Sequence, residues 1–400
     1  MLHTSDWHLG QKFIHFDREE EHKLALDWLH RTIMAEGVEL LIISGDVFDT
    51  FNPPNTAQEI YYSFLTRLRE TTCHRVVIVG GNHDSPSLLE APRHLLRVLN
   101  IHVFGARPAV AEEAIISIQG ADGQAVCVIA AIPFLRDSDL IASVSGESGL
   151  ERVERIRQGI LNHFHEMAES VSPFRKRKIP AIATGHLYAK GAHTSEKQEN
   201  IYTGDIANLD ASIIAQLFDY VALGHIHRSQ AVSGFGHIRY SGSLIPLSFS
   251  ESADGKSVTV FDCGKGGISN IRELGIPVFR RLKTIHGTLV EVKQRLADFA
   301  GRHNHELKPW VEIILEDDTV TPGVDQHLRE FARDFWLEIL KIRILRLEQK
   351  LNAQTATVEL EDLDVLEVFQ KKCERDGVPE KEIPALIDSF RELIASVTHQ

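Results

Sequence analysis

Five short stretches of this 400-residue chain carry side chains that bind metals or move protons: Asp6-Trp7-His8, Gly45-Asp46-Val47-Phe48-Asp49, Gly80-Gly81-Asn82-His83-Asp84, Gly185-His186 and Gly224-His225-Ile226-His227. Singly, each has a bland alternative. An Asn-His-Asp loop can be an ordinary turn, and most histidines are surface or satisfied core residues. Together they mix imidazole nitrogen with carboxylate and amide oxygen, a donor set suited to first-row ions such as Mn²⁺, Fe²⁺ or Zn²⁺ rather than to Ca²⁺ or thiolate-bound zinc. The seven residues Asp6, His8, Asp46, Asn82, His186, His225 and His227 are too many for one catalytic ion and about right for two ions sharing a carboxylate. Two ions roughly 3.5–4 Å apart can activate water and steady the attacking and leaving oxygens of an in-line displacement at phosphorus.

Each stretch must be presented by a strand end. Leu2 to Ser5, Val38 to Ser44, Val76 to Gly80, Ile179 to Thr184 and Tyr220 to Leu223 are apolar runs of strand length, as expected in sheets covered on both faces. Open α/β sheets place ligands beyond the carboxyl ends of such strands. Alternation along an extended chain predicts that Asp6 and His8 point the same way. Glycines 80 and 81 let the third loop bend where a Cβ would clash. Helical spacing marks Arg18 to Met34, Ala57 to Glu70 and Glu151 to Glu169, so the chain starts with three βα units of a layered α/β domain. Further strands are predicted at Val126 to Ala131, Arg239 to Gly242 and Ser257 to Phe261, and the basic run 175–178 reads as a solvated loop.

Composition shifts after Gly275. Strand, helix, strand, helix and strand follow between Arg281 and Leu345, forming a small α+β domain. Residues 348–361 read as a polar linker, and 362–400 as two amphipathic helices that either fold back or dock on a partner. The formal charge of −13 argues against a whole-surface grip on nucleic acid, though not against a local one. Four dispersed cysteines indicate neither disulfides nor a zinc site. With no apolar run near the roughly 20 residues of a membrane span and no signal-like start, a cytoplasmic location is expected.

The ordered set Asp6-x-His8, Gly45-Asp46-x-x-Asp49, Gly81-Asn82-His83-Asp84, Gly185-His186 and Gly224-His225-x-His227 resembles the calcineurin-like metallophosphoesterase superfamily. Within it, residues 3–10, residues 45–49 and the C-terminal organisation are similar to the SbcD family of bacterial nuclease subunits. The resemblance implies a four-layer β-sandwich flanked by helices (1–275), an α+β DNA-capping domain (276–347) and a C-terminal helical hairpin (362–400) docking on the coiled coil of the ATPase SbcC. It implies a 3′ to 5′ double-strand exonuclease and single-strand or hairpin endonuclease, working on DNA breaks with two Mn²⁺ ions in an SbcC2–SbcD2 heterotetramer.

Carried over, Asp6, His8, Asp46 and His227 hold one ion, and Asp46, Asn82, His186 and His225 the other, with Asp46 bridging. His83 becomes a non-ligand that protonates the leaving 3′ oxygen or steadies charge, and Asp84 orients His83 by a hydrogen bond; Asp49 takes no catalytic role from the resemblance, since relatives carry histidine at the matching place, and is read as a residue behind the ligands. Two other readings share the motifs: a small-molecule phosphatase or cyclic-nucleotide phosphodiesterase, for which the long tail has no evident use, and a metal-free scaffold, which the complete donor set disfavours.

Overall fold

The computed structural model describes residues 1–120, 122–140, 149–192, 209–264, 266–301, 306–316 and 323–345. The expected linker and terminal helices lie outside them. The principal strands in chain order are β1 (Leu2–Thr4), β2 (Leu40–Ser44), β3 (Arg75–Val79), β4 (Ile101–Phe104), β5 (Ile115–Gln119), β6 (Ala125–Ile132), β7 (Ala181–His186) and β8 (Tyr220–Gly224). They continue with β9 (Gln230–Val232), β10 (Phe235–Tyr240), β11 (Ser257–Gly264), β12 (Gly267–Gly275), β13 (Leu282–Gly287), β14 (Trp310–Glu316) and β15 (Glu338–Leu345). The principal helices are α1 (Glu19–Ala35), α2 (Asn55–Arg67), α3 (Gly149–Lys176), α4 (Leu289–Ala300) and α5 (Val324–Phe331).

One sheet runs β12-β11-β1-β2-β3-β4 and a second β9-β10-β8-β7-β6-β5. Parallel pairing runs from β1 through β4, which is one edge of the first sheet, and through β10-β8-β7-β6 in the second; β11 and β12 at the other edge of the first sheet and β9 and β5 at the edges of the second pair antiparallel. Residue parity in β2 explains its unbroken apolar run. Leu40 and Ile42 join the core shared with Val128, Ala183 and Leu223 of the second sheet. Leu41 and Ile43 face the other way, into a core with Leu26 and Leu29 of α1 and Phe64 of α2. Burying each such side chain contributes about 1.5–3 kcal/mol, so both faces must be apolar. The apolar face of α3, including Ile160, Phe164 and Met167, closes on the shared core from the second sheet's side. In α1, Glu19, Glu20 and Glu21 occupy the first turn, where the helix dipole favours negative charge.

Several boundaries differ from expectation. The helix predicted over Glu151 to Glu169 is α3, which runs to Lys176 through Pro173, so half of the basic run is helical. Arg175 there donates to the carbonyls of Gln216 and Leu217. The strand expected at Arg239 to Gly242 is β10, which begins at Phe235 and ends at Tyr240. β12 leaves no apolar signal in the sequence because it is a mostly exposed edge carrying Asn270, Arg272 and Glu273, the charged dress that keeps an edge from pairing with other chains.

By internal contacts the chain divides into two compact units, one of Met1–Ile285, Leu296–Glu312 and Ala332–Lys341, the other of His286–Arg295, Ile313–Phe331 and Ile342–Gln400. All candidate site residues belong to the first. β13, β14 and β15 form a three-stranded sheet in that order. At the start of α4, Thr288 and Glu291 form a capping box, the Glu291 carboxylate accepting from the Thr288 amide and hydroxyl.

Candidate metal centre

The carboxyl ends of β1, β2 and β3 emerge at one edge of the first sheet, and those of β7 and β8 end in register, Gly224 beside His186. Past β1 and β2 the two chains stay tied, Asp6 N–H donating to Gly45 O (3.0 Å) and His8 N–H to Asp46 O (3.0 Å). Asp6 and His8 do converge, but not by strand alternation. Their φ angles are 52° and 48°, Asp46 has 49° and His225 has 108°. Four of the seven candidate ligands thus sit in the left-handed region that costs a non-glycine residue about 1–3 kcal/mol. Trp7 anchors the turn between the first two, its indole N–H donating to Thr4 Oγ1 (3.0 Å) and its ring edge-on to Phe64.

The Cβ clash expected at the glycines of the third loop is present, but it arises from close approach of another loop and not from a positive φ. Gly81 has no unusual φ; a Cβ there would instead strike the carboxylate and amide of Asp46. The missing side chain is what brings this loop against Asp46.

Donor atoms of Asp6, His8 and His227 lie within 4.8 Å of one another, as do those of Asp46, His186 and His225. Asn82 joins the second group, its Oδ1 standing 3.0 Å from His186 Nε2 and 3.2 Å from His225 Nδ1. Asp46 Oδ2 faces both groups, 3.5 Å from His8 Nε2 and 3.3 Å from His186 Nε2. All seven expected ligands are therefore brought together. A third grouping, His8, Asp46 and His83, also has its donors within 4.8 Å, so His83 borders the first group rather than standing apart.

These residues fit a divalent ion. His8 Nε2 is buried with no hydrogen-bond partner, a costly state for a ring nitrogen unless a ligand takes it. Electrostatics agree. Burial alone would lower the pKa of His8, but Asp49 and Asp46 raise it to about 9, and Asp46 likewise overcomes burial at His186 and raises it to about 9. Against its own burial, Asp46 is held below the usual carboxylate range by His186, His8 and His83. The pocket thus draws positive charge into a buried place. Burial, then the neighbouring His186 charge, lowers His225 to about 3 and keeps that ring a neutral donor.

Behind the ligands stand fixed acceptors. His8 Nδ1 bonds to Asp49 Oδ1 (3.0 Å), His227 Nδ1 to Glu251 Oε1 (3.2 Å) and His186 Nδ1 to the Ser44 carbonyl (3.0 Å). Such partners fix tautomer and ring direction and leave Nε2 for an ion. Glu251 is itself held by Lys256 Nζ (2.7 Å) and the Leu247 amide (3.1 Å). Burial opposes its ionisation, but His227 and Lys256 outweigh it and hold its carboxyl below the ordinary range. Sequence reasoning missed Glu251 and Lys256. They act through His227 from a serine-rich loop that no strand-end pattern marks.

Asp84 requires a correction. The resemblance gives it the task of orienting His83, yet its carboxylate accepts from the amides of Val47 (3.1 Å), Phe48 (2.9 Å) and Gly81 (2.8 Å). Fully buried, it pins the Asp46 turn to the glycine loop, and burial with the Asp46 charge raises its pKa to about 6 despite those donors. His83 is oriented by a different group, its Nδ1 donating to the Asp49 carbonyl (2.8 Å). The reason is geometric: three converging amides saturate the carboxylate, and a backbone carbonyl lies nearer the ring.

The calcineurin-like phosphoesterase profile matches residues 1–229, and a profile described as the type 5 capsule protein repressor C-terminal domain matches 278–376. The chain is 34% identical over 387 residues to the SbcD subunit of the SbcCD nuclease of Escherichia coli K12, covering 96% of this chain and 94% of that protein. It belongs to the SbcD family of nuclease subunits. SbcD proteins from Rhodobacter capsulatus (33% identical, covering 70% of each chain) and Bacillus subtilis (28%, covering 100% of this chain and 99% of that one) extend the match across bacteria. Membership in this phosphoesterase family implies divalent-metal binding, in accord with the grouped donors. Among the described residues of this SbcD-family chain, no helix is long and apolar enough to cross a membrane.

Proposed function

We propose that this chain is the nuclease subunit of a complex with SbcC, hydrolysing phosphodiester bonds in DNA with two divalent ions, most simply Mn²⁺. The reading is carried by Asp46, whose Oδ2 stands between His8 Nε2 at 3.5 Å and His186 Nε2 at 3.3 Å. In this reading Asp6, His8, Asp46 and His227 hold one ion and Asp46, Asn82, His186 and His225 the other. When bound, such ions polarise a phosphoryl oxygen and activate water.

The chain's own residues do the rest. His83, steered by the Asp49 carbonyl, keeps Nε2 for the substrate and passes a proton to the leaving 3′ oxygen or steadies its charge. Asp84 keeps the two loops in register and touches no substrate. The polarity of attack is 3′ to 5′ on duplex ends, with endonucleolytic cutting of single strands and hairpins. Outside the phosphoesterase domain (1–275), arranged as a four-layer sandwich, residues 276–347 cap the site, 348–361 link, and 362–400 dock on the SbcC coiled coil as helices in a groove. The assembly is an SbcC2–SbcD2 heterotetramer in the cytoplasm. Because the chain carries −13 and DNA affinity comes largely from neutralised phosphates, SbcC supplies much of the basic surface.

The test compares linear duplex and single-stranded DNA with 4-nitrophenyl phosphate, with Mn²⁺ present, for the parent and Asp46→Ala. DNA cleavage that Asp46→Ala abolishes is expected. Activity confined to the small monoester, or near-normal cleavage by the variant, overturns the reading.

A further inference from the structure

Beyond the strand ends that bear the metal donors, one segment reaches the same place. Residues 133–136 follow β6, and Phe134 N–H donates to Gly80 O (2.8 Å), which splices the segment to the glycine loop. The Phe134 ring stands edge-on to His186, centroids 6.3 Å apart. Two residues on, the Arg136 guanidinium sits between two rings, 5.9 Å from the centroid of Phe134 and 5.9 Å from that of Phe51. It also donates from Nη2 to the carbonyl of Asp84 (3.2 Å), the residue next to His83. From the other side, Phe51 lies two residues beyond Asp49, whose carbonyl steers His83.

Three properties distinguish this assembly from core packing. Phe51 is 52% exposed, an aromatic face turned to water beside a polar centre. No carboxylate pairs with the Arg136 side chain among the described residues, so in a chain of net charge −13 its guanidinium remains available to an anion. Arg136 is braced on the carbonyl of Asp84, the residue after His83, and Phe51 meets the subsite through that guanidinium, so both groups stand beside the loop that carries His83. An arginine held against aromatic faces keeps its in-plane N–H groups free for a phosphate, and an exposed ring offers a sequence-tolerant platform for a base.

We propose that Phe51, Phe134 and Arg136 form a nucleotide subsite beside the metal centre, in which Arg136 takes the phosphate flanking the scissile one and Phe51 stacks on its base. The subsite rests on the phosphodiesterase reading above and deepens it. It makes the enzyme prefer a polynucleotide over a small diester that shares only the scissile phosphate.

The test uses the full-length chain with Mn²⁺ and reads the ratio of kcat/KM for a single-stranded oligonucleotide to that for methyl 4-nitrophenyl phosphate. Phe51→Ala and Arg136→Gln are each expected to lower this ratio about tenfold, with Phe51→Trp restoring it. A merely structural tie to Asp84 would lower both rates together and leave the ratio unchanged, and that result overturns the subsite. A second readout needs no turnover. In EDTA at saturating protein, stacking quenches 2-aminopurine placed next to the cleavage position, and Phe51→Ala relieves the quench. Equal fluorescence for parent and variant also overturns it. If the parent cleaves only the small ester, the nuclease reading fails by itself, and the quench still decides whether the subsite binds a nucleotide.

Discussion

At the scale of single residues, each imidazole that faces the first donor group leans on an acceptor behind it. Asp49 was legible as a neighbour of the centre because it shares the Gly45-Asp46 motif, whereas Glu251 was not, since its only link to the chemistry is the His227 ring. Glu251→Gln removes the charge that steadies His227 while keeping the size of the side chain. Its Mn²⁺ affinity by titration calorimetry is expected to fall about 10- to 100-fold, with the fold intact by circular dichroism. Asp84 and His83, adjacent in sequence, separate in their effects. Asp84→Asn replaces one acceptor oxygen with a donor against converging amides and is expected to cost about 1–3 kcal/mol in urea unfolding. His83→Ala is expected to lower turnover about 10²- to 10⁴-fold with little change in that midpoint. Equal stability losses for both would reverse the assignment of the two roles.

At the scale of elements, apolar runs of strand length located the strands that deliver the site, because a strand covered on both faces has no alternative composition. What the runs could not convey is how the chain turns after them. The left-handed geometry of Asp6, His8 and Asp46 leaves only a weak mark in residue type, since aspartate and histidine are enriched at positive φ but are common elsewhere, and the same pair of side chains would have been expected to converge from an ordinary extended segment. The edge strand β12 and the C-terminal part of α3 were hidden for the opposite reason, as exposed or proline-bearing segments resemble loops. The glycine loop tests how close these elements must come. Gly81→Ala forces a methyl group onto the Asp46 carboxylate. Expected are loss of DNA cleavage to below a hundredth of the parent and weaker metal binding, with a thermal midpoint lowered by only a few degrees; parent-like activity would mean that the loop can retreat at no cost.

At the scale of the whole molecule, the two sheets are joined by polar links as well as by their shared core. His3 of β1 reaches Tyr220 Oη (3.1 Å) and the Leu223 carbonyl (3.2 Å) of β8 with its two ring nitrogens. Burial lowers its pKa to about 3, and burial together with Arg18 does the same to His22. Unfolded, both take a proton near pH 6.5, whereas folded they do not until about pH 3. Their stabilising contribution is therefore complete above pH 6.5 and is lost as pH falls toward 3, at a slope of about 1.4 kcal/mol per pH unit for each histidine. In urea unfolding of the metal-stripped chain between pH 6 and 4, where His225 adds to this slope and Asp84 opposes it, His3→Gln is expected to flatten the profile by about one histidine's worth; an unchanged slope would mean that the ring is already protonated in the folded state.

The left-handed turns at Asp6, His8 and Asp46 set the survival of the fold and its chemistry against each other. Glycine adopts that backbone at no steric cost, and both glycine and asparagine dispense with carboxylates crowded into a buried pocket. A population of variants chosen only for resistance to heat, in the absence of metal, would drift at these positions toward residues that bring no negative charge or imidazole to an ion. Retaining aspartate and histidine there means accepting a less durable empty protein, and the positions where heat selection and nuclease selection disagree would by themselves trace the outline of the active site.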